Sequence, residues 1–177
     1  MIDLQIREKA ASDWHDVRRI YQEGMDTNVA TFQTTCPPYE EWDSAHMRIC
    51  RLVIAADSRV IGWCALSPVS SRCVYAGVAE VSIYIDANYR GKGAGVKLLN
   101  ELIRLSEEND IWMLQSGIMR ENTASVRLHE KCGFRMVGYR EKIGCDRFGQ
   151  WRNNFLMEKR STSERFDAFY SSCECCQ

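Results

Sequence analysis

The sequence predicts a mixed α+β domain in which one central sheet carries helices on both faces. Three observations carry this expectation. Val78 to Ile85 follows a period of two, with Ala79, Val81, Ile83 and Ile85 on one side and Val78, Glu80, Ser82 and Tyr84 on the other. Val96, Leu98, Leu99, Leu102, Ile103 and Leu105 follow helical spacing instead. The two kinds of element are interleaved through 177 residues, a length that suits one domain of roughly 100–200 residues.

Each element has its own signal. Leu4 to Arg7 reads as a short first strand, and Asp13 as the N-cap of a helix in which Val17, Ile20 and Tyr21 recur. Asn28 to Pro38 lacks periodicity and contains two prolines, so it reads as a loop, long enough to serve in binding. Glu40 to Arg51 resumes a helical pattern. Leu52 to Ala56 and Val60 to Leu66 are strand-like runs separated by Asp57-Ser58-Arg59, a hairpin signal. After Val78 to Ile85, the glycine-rich Gly91 to Gly95 opens the leucine-rich helix. Trp112 to Ile118 returns as a strand, and Asn122 caps a helix that Gly133 closes just past Cys132. Met136 to Tyr139 and Phe155 to Glu158 read as strands flanking a loop from Gly144 to Gly149. The expected division is a domain over residues 1–159 and a flexible, cysteine-containing tail over 160–177, where the run turns polar and serine-rich.

Composition excludes several classes. Lys plus Arg is 23 and Asp plus Glu is 24, a formal charge of −1, so no global field favours nucleic acid or an anionic membrane. No apolar run approaches the roughly 18 residues of a membrane span, and Met1-Ile2-Asp3-Leu4-Gln5 is not a signal peptide. The expectation is a cytoplasmic protein. Nine cysteines, odd in number, irregular in spacing and without a CxxC pair, indicate neither a disulfide framework nor a zinc site. Free thiols in a reducing compartment are expected, with Cys64 a small buried hydrophobe. The terminal Cys173-Glu174-Cys175-Cys176 offers soft-metal ligands or, as a frayed end, simple oxidation; no metal is expected.

Chemistry enters where the strand ends. Asp86-Ala87-Asn88-Tyr89 leads into Arg90-Gly91-Lys92-Gly93-Ala94-Gly95 and then a helix. Glycines let several backbone N–H groups point inward at a helix N-terminus, an arrangement that binds phosphate, and Arg90 and Lys92 add positive charge. No GK[ST] ends the loop, so it is not a Walker loop. Glycines at 91, 93 and 95 do not satisfy the GxGxxG dinucleotide fingerprint either. Glu80 lies mid-strand among apolar neighbours, where a carboxylate is costly unless paired, for instance with Arg72, or functional.

The pattern Arg90-x-x-Gly93-x-Gly95 resembles the coenzyme A pyrophosphate loop of the Gcn5-related N-acetyltransferase (GNAT) superfamily. Asn122-Thr123-Ala124-Ser125 and Leu128-His129-Glu130-Lys131-Cys132-Gly133-Phe134 resemble that superfamily's second signature. A narrower resemblance spans roughly residues 4 to 159. Val29-Ala30-Thr31-Phe32, Tyr39-Glu40-Glu41-Trp42, Arg72-Cys73-Val74-Tyr75, Val78-Ala79-Glu80-Val81-Ser82-Ile83-Tyr84-Ile85 and Gly149-Gln150-Trp151 look like the phosphinothricin and methionine sulfoximine acetyltransferase family. Gln33 stands where that family usually has an acidic residue, and Asn153 where it tends to have Asp. Both departures bear on the acceptor rather than on the chemistry.

The resemblance implies a mainly antiparallel central sheet and acetyl-CoA as co-substrate. It implies cofactor contacts from Arg90, Gly91, Lys92, Gly93, Ala94, Gly95 and Val96, from the strand-end backbone of Ile83, Tyr84 and Ile85, and from Asn122, Ser125 and Lys131. It makes Glu80 the general base that frees the amine, and places His129 where many members have the tyrosine that protonates the departing thiolate. Thr31, Phe32, Arg72, Tyr75 and Trp151 are substrate-side candidates, with Arg72 able to hold an α-carboxylate. The acceptor implied is the α-amino group of a small amino acid or analogue, with direct transfer in a ternary complex and a homodimeric assembly. An acetyltransferase of protein N-termini or lysines, and a non-catalytic acyl-CoA-binding module, are the alternatives.

Overall fold

In a computed structural model that describes residues 4–167, seven strands form one sheet in the order β1-β2-β3-β4-β5-β7-β6. The strands are β1 (Leu4–Glu8), β2 (Leu52–Ala56), β3 (Arg59–Pro68), β4 (Val78–Ile85), β5 (Met113–Met119), β6 (Arg135–Cys145) and β7 (Trp151–Arg160). Every neighbouring pair is antiparallel except β4 with β5. The helices are α1 (Trp14–Asp26), α2 (Tyr39–Ala45), α3 (Ala94–Glu108) and α4 (Thr123–Lys131). None of these is long and apolar enough to cross a membrane.

Period and burial agree on which face each residue joins. Val17, Ile20, Tyr21 and Met25 of α1 and Trp42 of α2 pack on Val53, Val60, Trp63 and Ala65 of the sheet. Leu98, Leu99 and Leu102 of α3 pack on the other face, against Ile54, Ile61, Cys64, Leu66, Ala79 and Val81. Helices therefore cover both faces, each through an apolar stripe. Along β4, Ala79, Val81 and Ile83 face the α3 side while Tyr84 faces α1. The β2–β3 turn uses Asp57 and Ser58, both left-handed (φ 48° and 67°), as a two-residue hairpin turn of primed type requires.

Four expectations change. Asp13 precedes α1, but its carboxylate does not cap it; it accepts from the Ala10 amide at 2.7 Å and from Arg7 at 2.7 and 2.8 Å. The second helix stops at Ala45 instead of reaching residue 51. Arg51 folds back and donates to the carbonyls of Asp43, His46 and Met47, and Cys50 turns left-handed (φ 59°), so the helical period continues without helical backbone. Strands β6 and β7 are longer than the expected Met136 to Tyr139 and Phe155 to Glu158, reaching Cys145 and starting at Trp151 so that the turn narrows to residues 146–150, because edge strand β6 is exposed on both faces and shows no alternation.

The fourth change concerns the tail. Ser161–Asp167 dock on the domain: the Ser161 amide donates to the Trp112 carbonyl at 2.8 Å, Phe166 is buried beside the Trp112 ring, and Arg165 reaches Asp110 at 2.7 Å. The cluster Cys173 to Cys176 lies outside the described residues. Burying one such aromatic contributes about 1.5–3 kcal/mol. Phe166→Ala is therefore expected to lower Tm by roughly 3–12 °C while leaving turnover intact, a result that scanning calorimetry with a parallel activity assay checks.

Candidate active site

The β4–β5 pairing ends almost as soon as it begins. Only Val78, Ala79 and Glu80 find partners, at Met113, Leu114 and Gln115, whereas β5 stays paired with β7 through Met119. The two parallel strands therefore splay beyond Glu80, and the β4 edge facing β5 is left without ladder partners. Two adjoining cavities open there.

The larger, of about 420 Å³, runs along the splayed end of β4 to the start of α3 and one side of α4. Ile83, Tyr84, Ile85, Arg90, Gly91, Gly93, Gly95, Val96, Asn122, Ser125 and Lys131 line it. Asp86 sets up the turn that delivers the loop. Its buried carboxylate accepts from the Asn88 amide at 2.9 Å and from Arg19 of α1 at 2.8 Å. Burial would raise its pKa, but the Asn88 amide and Arg19 outweigh it and hold the carboxyl below its ordinary value. Gly91 (φ 74°) and Gly93 (φ 86°) are left-handed, and a Cβ built on either would meet no atom within 4 Å. The glycines are thus needed for backbone shape and face open space. Gly95 differs, since its Cβ would press on Leu128 at 3.3 Å and push α3 from α4.

A pyrophosphate group fits this end of the cavity on the chemistry of its lining: a helix start, left-handed glycines facing open space, and the cations Arg90, Arg127 and Lys131. Arg127 was not singled out from the sequence; its (i, i+4) spacing with Lys131 on the capped helix is the signal that could have found it. Lys92 and Ala94 do not line the cavity. Lys92 donates to the Asn88 carbonyl at 2.8 Å over the Tyr89 ring, and Ala94 is buried in the core. Asn122 caps α4 by accepting from the Ser125 amide at 3.1 Å, so capping and cavity lining coincide in one residue.

The smaller cavity, of about 250 Å³, shares Ala30, Ile83, Tyr84, Asn122 and Ser125 with the larger one. It brings together Thr31, Phe32, Glu80 and His129 with Tyr21, Arg140 and Asn154, the last three absent from the sequence reading of the site. Glu80 is exposed to the cavity rather than buried, and its Oε2 accepts from Gln115 Nε2 at 3.1 Å. Among the described residues it forms no ion pair, with Arg72 or any other base. His129 is 1% exposed. Its Nδ1 lies 2.8 Å from the Ser125 carbonyl, an acceptor only, which assigns the ring proton to Nδ1. Nε2 is then a lone pair, buried and without a hydrogen-bond partner. Burial lowers the ring's pKa, so it stays neutral at pH 7. Tyr84 stacks on Trp63 and Tyr21 meets that ring edge-on, and burial raises both phenols, Tyr21 to about 12.

Three substrate-side candidates lie elsewhere. Arg72 sits on the exposed turn between β3 and β4, its guanidinium over the Tyr75 ring at 5.7 Å. Tyr75 and Trp151 are exposed, and neither lines either of these two cavities. Arg72 and Tyr75 sit in the connection between β3 and β4 and Trp151 opens β7, positions whose distance from the cavities no local pattern reveals.

The loop bearing Thr31 and Phe32 is held by Asp146 at the β6–β7 turn. That carboxylate accepts from Asn28 at 3.0 Å, Arg152 at 2.7 Å and the amides of Phe148 and Gln150. Burial would raise its pKa, yet the Gln150 amide, Arg152, Asn28 and the Phe148 amide together hold it well below the carboxylate range. A depressed folded pKa stabilises above the unfolded value of about 3.9 and ceases to do so as pH falls toward the folded one. Asp146→Asn should therefore lower Tm at pH 7, and the gap to wild type should narrow below about pH 4 in a series of melting curves.

A splayed parallel strand pair, an anion-ready loop and an adjoining pocket with a carboxylate and an unpartnered imidazole nitrogen define an acyl-CoA-dependent transferase. The Acetyltransferase (GNAT) family model matches residues 14–134. The L-methionine sulfoximine/L-methionine sulfone acetyltransferase of Pseudomonas paraeruginosa is 26% identical over 163 residues, 89% of this chain and 94% of its own length. The phosphinothricin N-acetyltransferase of Streptomyces coelicolor is 28% identical, covering 84% of this chain and 91% of that protein. A GNAT superfamily phosphinothricin acetyltransferase from Sinorhizobium meliloti, solved in complex with AcCoA, superposes with a TM-score of 0.80 at 27% identity, covering 89% of this chain and 88% of its own. The chain belongs to the GNAT family and is an N-acetyltransferase.

Proposed function

We propose that this enzyme transfers the acetyl group of acetyl-CoA directly to the α-amino group of a small amino acid or analogue of the phosphinothricin or methionine sulfoximine type. The observation that carries the reading is the pair of adjoining cavities. The lining of one suits a coenzyme A phosphate and pantetheine arm; the other is too small for a folded partner and holds Glu80 and His129. The names of the relatives point to the same acceptor class.

Glu80 removes the ammonium proton, directly or through water, and its second oxygen stays fixed by Gln115. The amine nitrogen then bonds to the thioester carbon, the C–S bond breaks, and the proton that the nitrogen sheds as it becomes an amide passes to the departing thiolate. Unpaired β4 backbone donors stabilise the oxyanion. His129 presents a lone pair at Nε2, so it gains a proton there before it can deliver one to sulfur. The family resemblance extends to a homodimer, which the exposed apolar residues Met136, Val137, Tyr139 and Ile143 on edge strand β6 support. Six described cysteines are free thiols, which supports a reducing, cytoplasmic setting.

The test is thiol release from acetyl-CoA with methionine sulfoximine, with lysine-containing and N-terminal peptides, and with no acceptor. Turnover confined to the amino acid supports the reading; turnover with peptides alone overturns it. Sedimentation of the purified protein reports the assembly.

A further inference from the structure

Resting on that amino-acid reading, we propose that Arg140, clamped by Asn154, binds the acceptor's α-carboxylate, so that the enzyme requires a free carboxylate beside the amine it acetylates. Arg140 on β6 and Asn154 on β7 are direct cross-strand partners. The guanidinium Nε donates to Asn154 Oδ1 at 2.9 Å, and Asn154 is 6% exposed, so an exposed arginine is anchored on a buried amide. The register slips between Arg140 and Gly144, with Lys142 left-handed (φ 49°). Such bulges re-aim a side chain beside a site.

Neither terminal nitrogen of Arg140 has a hydrogen-bond partner among the described residues, and Arg140 lines the cavity that contains Glu80. Gly117 on β5 lies beneath this cluster. A Cβ there would stand 3.0 Å from Asn154 Nδ2, 3.1 Å from Arg140 Nη2 and 4.0 Å from Glu80 Oε1. Three polar heads therefore converge over one glycine. Arg140 forms no ion pair among the described residues, although Glu80 shares its cavity. A cation and an anion held close but not neutralising each other match a zwitterion, whose carboxylate and ammonium sit on one carbon. The guanidinium fork and the Asn154 amide supply donors for the carboxylate, and Glu80 meets the ammonium. Arg72, the sequence's candidate for this task, lies outside the cavity.

The experiment compares L-methionine sulfone, whose side chain is neutral, with its carboxamide as acceptors. Wild-type enzyme should prefer the acid strongly in kcat/KM. Arg140→Met should lose roughly 10- to 150-fold on the acid, mostly in KM, as expected for a charge-assisted contact, and change little on the amide. KM for acetyl-CoA should hold. Arg140→Lys, which keeps the charge but loses the fork, should recover part of the loss, and melting curves of both variants should match wild type. Equal losses on acid and amide, or a preference that survives Arg140→Met, would overturn the assignment while leaving the amino-acid reading intact. Wild-type enzyme that acetylates the amide as readily as the acid would overturn it too. Wild-type enzyme that acetylates peptides and neither small amine would remove the amino-acid reading itself.

Discussion

Replacing Glu80 with Gln is expected to lower kcat by ~10²–10⁴-fold, the span of a single positioned base. The substitution keeps size and the hydrogen bond with Gln115, and it removes the charge that accepts the amine's proton. Glu80 is exposed and forms no ion pair among the described residues, so melting temperature should barely move. Affinity for acetyl-CoA should hold as well, because Glu80 lines the smaller cavity and not the larger. The deficit should shrink as pH rises toward the amine's own pKa, where free amine forms unaided. A profile of kcat against pH, run beside melting curves, is decisive. A pH-independent loss with a lower Tm would make Glu80 structural, and normal turnover at neutral pH would move the base elsewhere.

Gly93→Val is expected to weaken acetyl-CoA binding by roughly 10- to 100-fold. At φ 86° a β-branched residue is strained by about 1–3 kcal/mol, and the loop relieves that strain by leaving the left-handed region. The inward amides at the start of α3 then lose their aim. No neighbour crowds this position, so the effect is conformational, unlike Gly95, where a side chain would strike Leu128. Titration calorimetry well below the melting temperature measures the change, and undiminished affinity would remove the loop from the phosphate site.

Much of this site was readable along the chain because its parts are local. The turn from Asp86 to Gly95 places strand end, glycines and helix start within ten consecutive residues, and Asn122 caps α4 three residues before Ser125. Such features follow from φ/ψ limits and capping, which depend on neighbours in sequence. The sequence reads Glu80 as a costly mid-strand carboxylate, whereas splaying of β4 from β5 leaves it exposed to the smaller cavity, where burial costs it little.

Sequence alone determined the alternation of strand and helix, the phosphate-ready loop and the family resemblance, because hydrophobic period and turn chemistry act over a few residues. Tertiary structure alone decided which side chains meet across the sheet. Arg140 and Asn154 are 14 residues apart and reach Glu80 only because β7 inserts between β5 and β6. Arg72 and Trp151 carry the right chemistry and are turned away, while Phe166, in a run without apolar period, docks beside Trp112. Strand order, bulges and twist fix those outcomes, and they arise from packing between distant segments that no local pattern encodes.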